Sequence, residues 1–414
     1  MQETDISLVV ERLDSLSRKH DPIVIDNEKF LIKANQPQLT IDAINGLSTQ
    51  LHQLQTQALP TFRQQLIDLL ASFDVFDLEE REFNPKLGRT LDTLEILSRI
   101  TPTFDEISAF VHSIARIAFD SSIDHTDGDY GDLKKFRSHL LVTLVDQLLQ
   151  DPAGELFFFS KEFLELWNVS MKINRKLMLN GEVDELAEYK ERMITAVANS
   201  SELIDTIIHS SKRSDFRFLQ DHCQHLVSNL EECVNYVRHQ IYSRSEPSHG
   251  PTLDKLTSSS QPLSLRSLIA QLFESALPLF KLVKISFNRL LDKKPPFTIN
   301  TRITSGELQT LLNEIRNLDS WLMKLMRNLT WMYERNDINY REEDFVRIGQ
   351  MISVEFNSSL SSLSSLLIPT PGTPLDCGSS ESSFSVIKGQ VAPAVATLTH
   401  AIDRFELAVQ RLSN

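Results

Sequence analysis

The residues with the most chemical potential lie in three short stretches. His222-Cys223-Gln224-His225, followed by Cys233 and His239, supplies zinc-ligand residue types. On a helix, however, Cys223 and Cys233 fall on the apolar stripe, while His222 and His225 point about 100° and about 200° away from it. The spacing therefore predicts two core cysteines and two surface histidines. Asp124-His125-Thr126-Asp127-Gly128-Asp129-Tyr130-Gly131-Asp132 has the acids and glycines of a calcium loop. No register places oxygens at positions 1, 3 and 5, glycine at 6 and a carboxylate at 12. Asp132 instead reads as the N-cap of a helix opening at Leu133. Thr370-Pro371 and Thr373-Pro374 fit proline-directed phosphorylation, so Thr370 and Thr373 are the candidate modification sites.

Enzyme signatures do not follow. There is no phosphate loop, dinucleotide fingerprint, nucleophile elbow, His-Glu-x-x-His helix or Glu-x-x-His pair. Asn336 to Asp344 resembles the second metal motif of the terpene synthases. It departs from that motif, with Tyr340 where Ser or Thr is needed and Asp344 where Glu is usual, and the first Asp-rich motif is missing. The expectation is a charged turn between helices, with no catalytic residue, no cofactor and no metal.

Composition points the same way. Only 12 glycines occur in 414 residues, too few for the turns and phosphate loops of sandwiches, barrels or doubly wound enzymes. A leucine-rich chain with 24% charged residues reads as all-α. The net charge of −14 disfavours nucleic-acid backbone and anionic lipid. No stretch approaches the ~18 apolar residues of a membrane span, and the acidic start Met1-Gln2-Glu3-Thr4-Asp5 is not a secretory signal. Three cysteines do not make a disulfide framework, so the expected compartment is the cytoplasm, with the nucleus also open.

Apolar periodicity lays out the elements. Helices are expected over 1–19, 38–73, 88–120, 133–149, 155–179, 183–210, 215–242, 263–292, 305–335, 342–367 and 384–412. Asn180-Gly181 reads as a helix end. Ser/Pro-rich loops cover 243–262 and 369–385. The helix over 155–179 carries Phe157, Phe158, Phe159, Phe163 and Trp167 on more than one face. That fits a helix buried between neighbours or a partner groove, and these five are the candidate partner surface.

One gapless self-alignment pairs 47–74 with 265–292. It matches Leu54 with Leu272, Ala58-Leu59-Pro60 with Ala276-Leu277-Pro278, Phe62 with Phe280 and Ile67 with Ile285. A mid-helix proline costs about 3 kcal/mol, so a shared one needs a reason. The match predicts an ancient duplication with kinks at Pro60 and Pro278. The chain is thus expected to form two tandem antiparallel bundles of long helices, about five each, over 1–212 and 213–414.

In helix number and length this architecture resembles the tandem bundles of the vinculin, α-catenin and talin type and of the D-type-cyclin-binding proteins. The resemblance carries no functional residue. It implies a non-enzymatic scaffold or adaptor with a protein partner. An obligate subunit of a larger complex, or an all-α enzyme with a buried site, is the alternative.

Overall fold

The structure, a computed structural model, describes residues 2–19, 39–73, 88–172, 180–243, 265–292, 297–337, 345–370 and 380–413. It is all-α and divides into two compact units, Met1–Arg213 and Ser214–Asn414.

The N-terminal unit contains α1 (Gln2–Ser17), α2 (Ile41–Gln53), α3 (Leu59–Phe73), α4 (Gly88–Phe119), α5 (Lys135–Gln150), α6 (Pro152–Lys172) and α7 (Asn180–Ser211). Thr40 opens α2 by accepting the Ala43 N–H at 3.2 Å. A π-helical turn over Leu54–Ala58 joins α2 to α3. α3 and α4 run antiparallel: Phe62 meets Phe104, and Gln65 Nε2 donates to Arg99 O. α1 packs on α4 and α6, and α7 packs on α3, α5 and α6. Counting α2–α3 as one interrupted rod gives six helical rods among the described residues, matching the six segments that periodicity marks and one above the round figure of about five per bundle; α5, expected over 133–149, packs on α4, α6 and α7. Asn180 and Gly181 open α7 and do not end a helix. An asparagine is as suited to a helix start as to an αL stop, so the dipeptide alone could not choose.

The C-terminal unit contains α8 (Asp215–Ser243), α9 (Leu265–Leu291), α10 (Ser305–Arg335), α11 (Phe345–Leu366) and α12 (Ser380–Ser413). Side-chain pairs fix the directions. Gln220 donates to Leu290 O and Glu231 pairs with Lys284, so α8 and α9 are antiparallel. Asn229 with Asp319 and Tyr236 with Glu334 make α8 and α10 parallel. Ser358 with Glu314 and Asn317 with Glu355 make α10 and α11 antiparallel. Phe345 with Phe405 and Ser361 with Lys388 do the same for α11 and α12, and α12 closes the ring on α9. Thr304 and Glu307 form a reciprocal capping box at the start of α10, and Asn336 ends it at φ 52°. Two short strands, β1 (Phe297–Ile299) and β2 (Leu367–Pro369), pair antiparallel beside the α10–α11 hairpin.

Both interiors are mainly apolar, with a few buried polar groups such as Asp127, Lys134 and Asp146 in the first and Asn328 in the second. Phe62, Phe104, Phe157 and Phe163 fill the first and Phe273, Phe287, Phe345 and Phe356 the second, each ring worth about 1.5–3 kcal/mol on burial. Trp167 is buried in the N-terminal unit. Trp321 and Trp331 lie at the surface of α10, with Lys324 Nζ 4.2 Å from the Trp321 ring and Arg327 Cζ 5.7 Å from Trp331.

The helix ladder accommodates the two prolines differently, which corrects the expectation of matching geometry. Ahead of Pro60 the Leu59 N–H bonds back five residues to Leu54 O, widening one turn. Pro278 lies inside the uninterrupted helix α9. The inward faces still correspond: Leu51 and Ile269, Leu54 and Leu272, Ala58 and Ala276, and Phe62 and Phe280 are all buried.

Candidate functional site

Helix α6 begins abruptly. Asp151 is its only link to α5, and Pro152 occupies the first helical position, where its missing N–H costs nothing. A Cβ on Gly154 would sit 3.3 Å from Leu149 O, so glycine permits the close approach of the two helices.

From there the aromatic residues divide. Phe157, Phe163 and Trp167 are buried; Phe157 packs near Phe104 and Phe163 lies edge-on to Phe73 at 5.9 Å. Burial removes these three from the five candidates for a partner surface and leaves Phe158 and Phe159. Those three share one arc of the helix, whereas Phe158, about 100° further round, faces outward. Phe158 is 46% exposed, and Phe159 is half-buried at the seam with α7.

The seam brings in residues that the α6 sequence could not supply. The Phe159 ring lies 5.5 Å from Phe158 and 6.3 Å from Tyr189 of α7. Arg192 lies over the Phe159 ring at 5.3 Å and ion-pairs with Glu188. Tyr189 donates its hydroxyl proton to Glu185 at 3.4 Å. Partial burial, with the carboxylates of Glu185 and Glu162 nearby, pushes the Tyr189 phenol up. Glu155 and Glu165 are exposed on the same helix. At its other edge Lys161 bonds Asp14 of α1 at 3.1 Å; that bond is the main reason Asp14 lies below, and Lys161 above, its ordinary pKa. The result is an aromatic floor with an acidic rim.

The remaining candidates are structural where they are described. Asp127 is buried and accepts the Lys135 N–H at 2.7 Å, so it caps α5 from eight residues upstream. This corrects the assignment of Asp132 as the cap. A 3-10 turn over Gly131–Leu133 delays the helix to Lys135, and Asp132 pairs with Arg137 at 2.6 Å. Arg137 also donates to Ser211 O and Arg213 O, tying the end of the unit to α5. Cys223 is buried, which pushes its thiol up; Cys233 Sγ lies 3.5 Å from Met323 Sδ. His225 faces Asp319 at 3.7 Å, and His222 Nδ1 lies 3.0 Å from Phe218 O. Among the described residues no group of three or more His, Cys, Asp or Glu is placed to hold a metal ion. Thr370 follows β2 and is half-exposed, while Thr373 and residues 338–344 of the acidic turn lie outside the described residues.

Sequence reasoning also missed a cavity of about 270 Å³ beside the π-turn, lined by Gln50, Gln53 and Leu54 and by Glu106, Ala109, Phe110 and Ser113 of α4. The signal available was Pro60, whose ring crowds the carbonyl four residues upstream.

Comparison with known families divides the chain as the structure does. Residues 48–212 match one domain of unknown function (DUF8723), and residues 214–388 match another (DUF8721). Neither curated proteins nor solved structures give a match. No described helix is long and apolar enough to cross a membrane.

Proposed function

We propose that the chain is a non-enzymatic scaffold or adaptor that holds a protein partner at the α6–α7 seam of its N-terminal bundle. The observation that carries this reading is the outward turn of Phe158 beside Phe159 and Tyr189, while the same helix commits Phe157, Phe163 and Trp167 to the core. An exposed aromatic on a rigid helix offers contact area at little entropic cost. Interiors packed with phenylalanine and leucine support a non-catalytic role, because a buried helical active site needs converging polar groups. The net charge of −14 supports a protein rather than a nucleic acid as partner, and three cysteines, too few for a disulfide framework, support the cytoplasm or the nucleus.

The test is quantitative affinity capture from the native cell with the full chain and with a Phe158→Ala/Glu185→Gln variant. Proteins retained by the natural chain and depleted with the variant are expected. Recovery of chaperones and background proteins alone from both overturns the proposal.

A further inference from the structure

The seam has a chemical preference of its own. Phe158 is half-exposed, and among the described residues no cation covers it in the way that Arg192 covers Phe159. Glu162, one helical turn beyond Phe158 and 3.6 Å from Lys161, and Glu185 on α7 put negative charge beside the rings, as their common effect on Tyr189 shows. The molecule already contains the complementary unit: a guanidinium 5.3 Å from the Phe159 centroid, held by the Glu188 carboxylate. A flat cation suits this floor because it meets the ring face with its plane and the carboxylate with its edge. An ammonium reaches the charge but does not stack.

Resting on the scaffold reading above, we infer that the partner enters this seam with an arginine-bearing basic segment, one guanidinium lying on Phe158 and bonding Glu162 or Glu185. Acidic rims of this kind speed encounter and select against acidic competitors.

The test uses the full chain and three fluorescein-labelled probes: an arginine–serine peptide, its lysine counterpart and its citrulline counterpart. Anisotropy is read at low and at physiological ionic strength. The arginine peptide should bind about three-fold more tightly than the lysine peptide, and the citrulline peptide should not bind. Phe158→Ala and Phe158→Leu should each weaken the arginine peptide by about three- to five-fold, since both remove the ring. Glu162→Gln/Glu185→Gln should weaken it and flatten its salt dependence. Asp42→Asn/Asp403→Asn, which removes two exposed carboxylates elsewhere, should change nothing. All variants are confirmed as folded by thermal melting.

Equal binding of the arginine and citrulline peptides, full binding by Phe158→Leu, or equal losses in the two double variants overturns the inference. If the peptides fail in this way while affinity capture still finds a partner that depends on the seam, only the arginine preference falls. If the arginine peptide binds as expected but capture recovers background alone, the scaffold reading falls and the site stands.

Discussion

The two helical rods aligned at Pro60 and Pro278 solve one problem in two ways. Both present the same aligned face to their core, from Leu51 and Ile269 through Phe62 and Phe280. In the C-terminal bundle α9 stays a single α-helix through Pro278 and takes its place in the closed ring α8–α9–α12–α11–α10. In the N-terminal bundle the turn before Pro60 widens, a cavity lies beside it, and the first helix takes a different seat. α1 packs on α4 and α6, whereas α8 packs on α9 and α10. Burial pattern is thus more durable than the hydrogen-bond ladder that carries it, because the apolar stripe is fixed by solvent exclusion.

The largest expected effects test that equivalence directly. Phe62→Ala and Phe280→Ala should each cost about 3–5 kcal/mol, measured by denaturant unfolding. A cost near zero at either position would break the correspondence. Next, Arg137→Met should destabilise the N-terminal bundle by about 2 kcal/mol, since it leaves Ser211 O and Arg213 O without that charged donor. Hydrogen exchange should show the opening at the end of α7 and leave α8–α12 unchanged.

Smaller effects sharpen the contrast between the prolines. Pro278→Ala should stabilise by about 1–2 kcal/mol, part of the full helix-interior penalty. Pro60→Ala should gain less than about 1 kcal/mol, because the π-turn already accommodates the ring. Equal gains in thermal melts would show that the π-turn relieves nothing.

The smallest effect is a pair of opposite titrations. Asp14 in the first bundle is held below its ordinary pKa, chiefly by Lys161, so its contribution is present above the unfolded-state pKa and fades as pH falls through the lower folded value. Asp319 in the second is pushed up, chiefly by burial, against Asn229 and His225. It therefore favours the folded state in acid and loses that advantage as pH rises from the unfolded to the folded value. Carboxyl NMR titration should find the Asp14 midpoint below, and the Asp319 midpoint above, that of a free aspartate. Lys161→Met should raise the first and leave the second in place.

Much of this was legible in the sequence where periodicity speaks. The stripe Leu219, Cys223, Leu226, Leu230 by itself places Cys223 in a core, and it is buried. What periodicity cannot see is which distant group answers a local need. Asp127 caps α5 across eight residues, outcompeting the nearer Asp132, because the 3-10 turn that contains Asp132 moves the first free N–H to Lys135. The aromatic run shows the same limit. The α6 sequence marks five candidates, but the burial of the structure is needed to separate Phe158 and Phe159 from the rest, and the packing of α7 adds Tyr189, Glu185 and Arg192.

The three tryptophans give each bundle its own optical signature. Trp167, sealed in the first core, should emit in the blue and shift red when that bundle opens. Trp321 and Trp331, at the surface under lysine and arginine, should already emit red and report little wavelength change. The emission maximum of the whole chain would then follow the N-terminal bundle alone, even as circular dichroism averages over both.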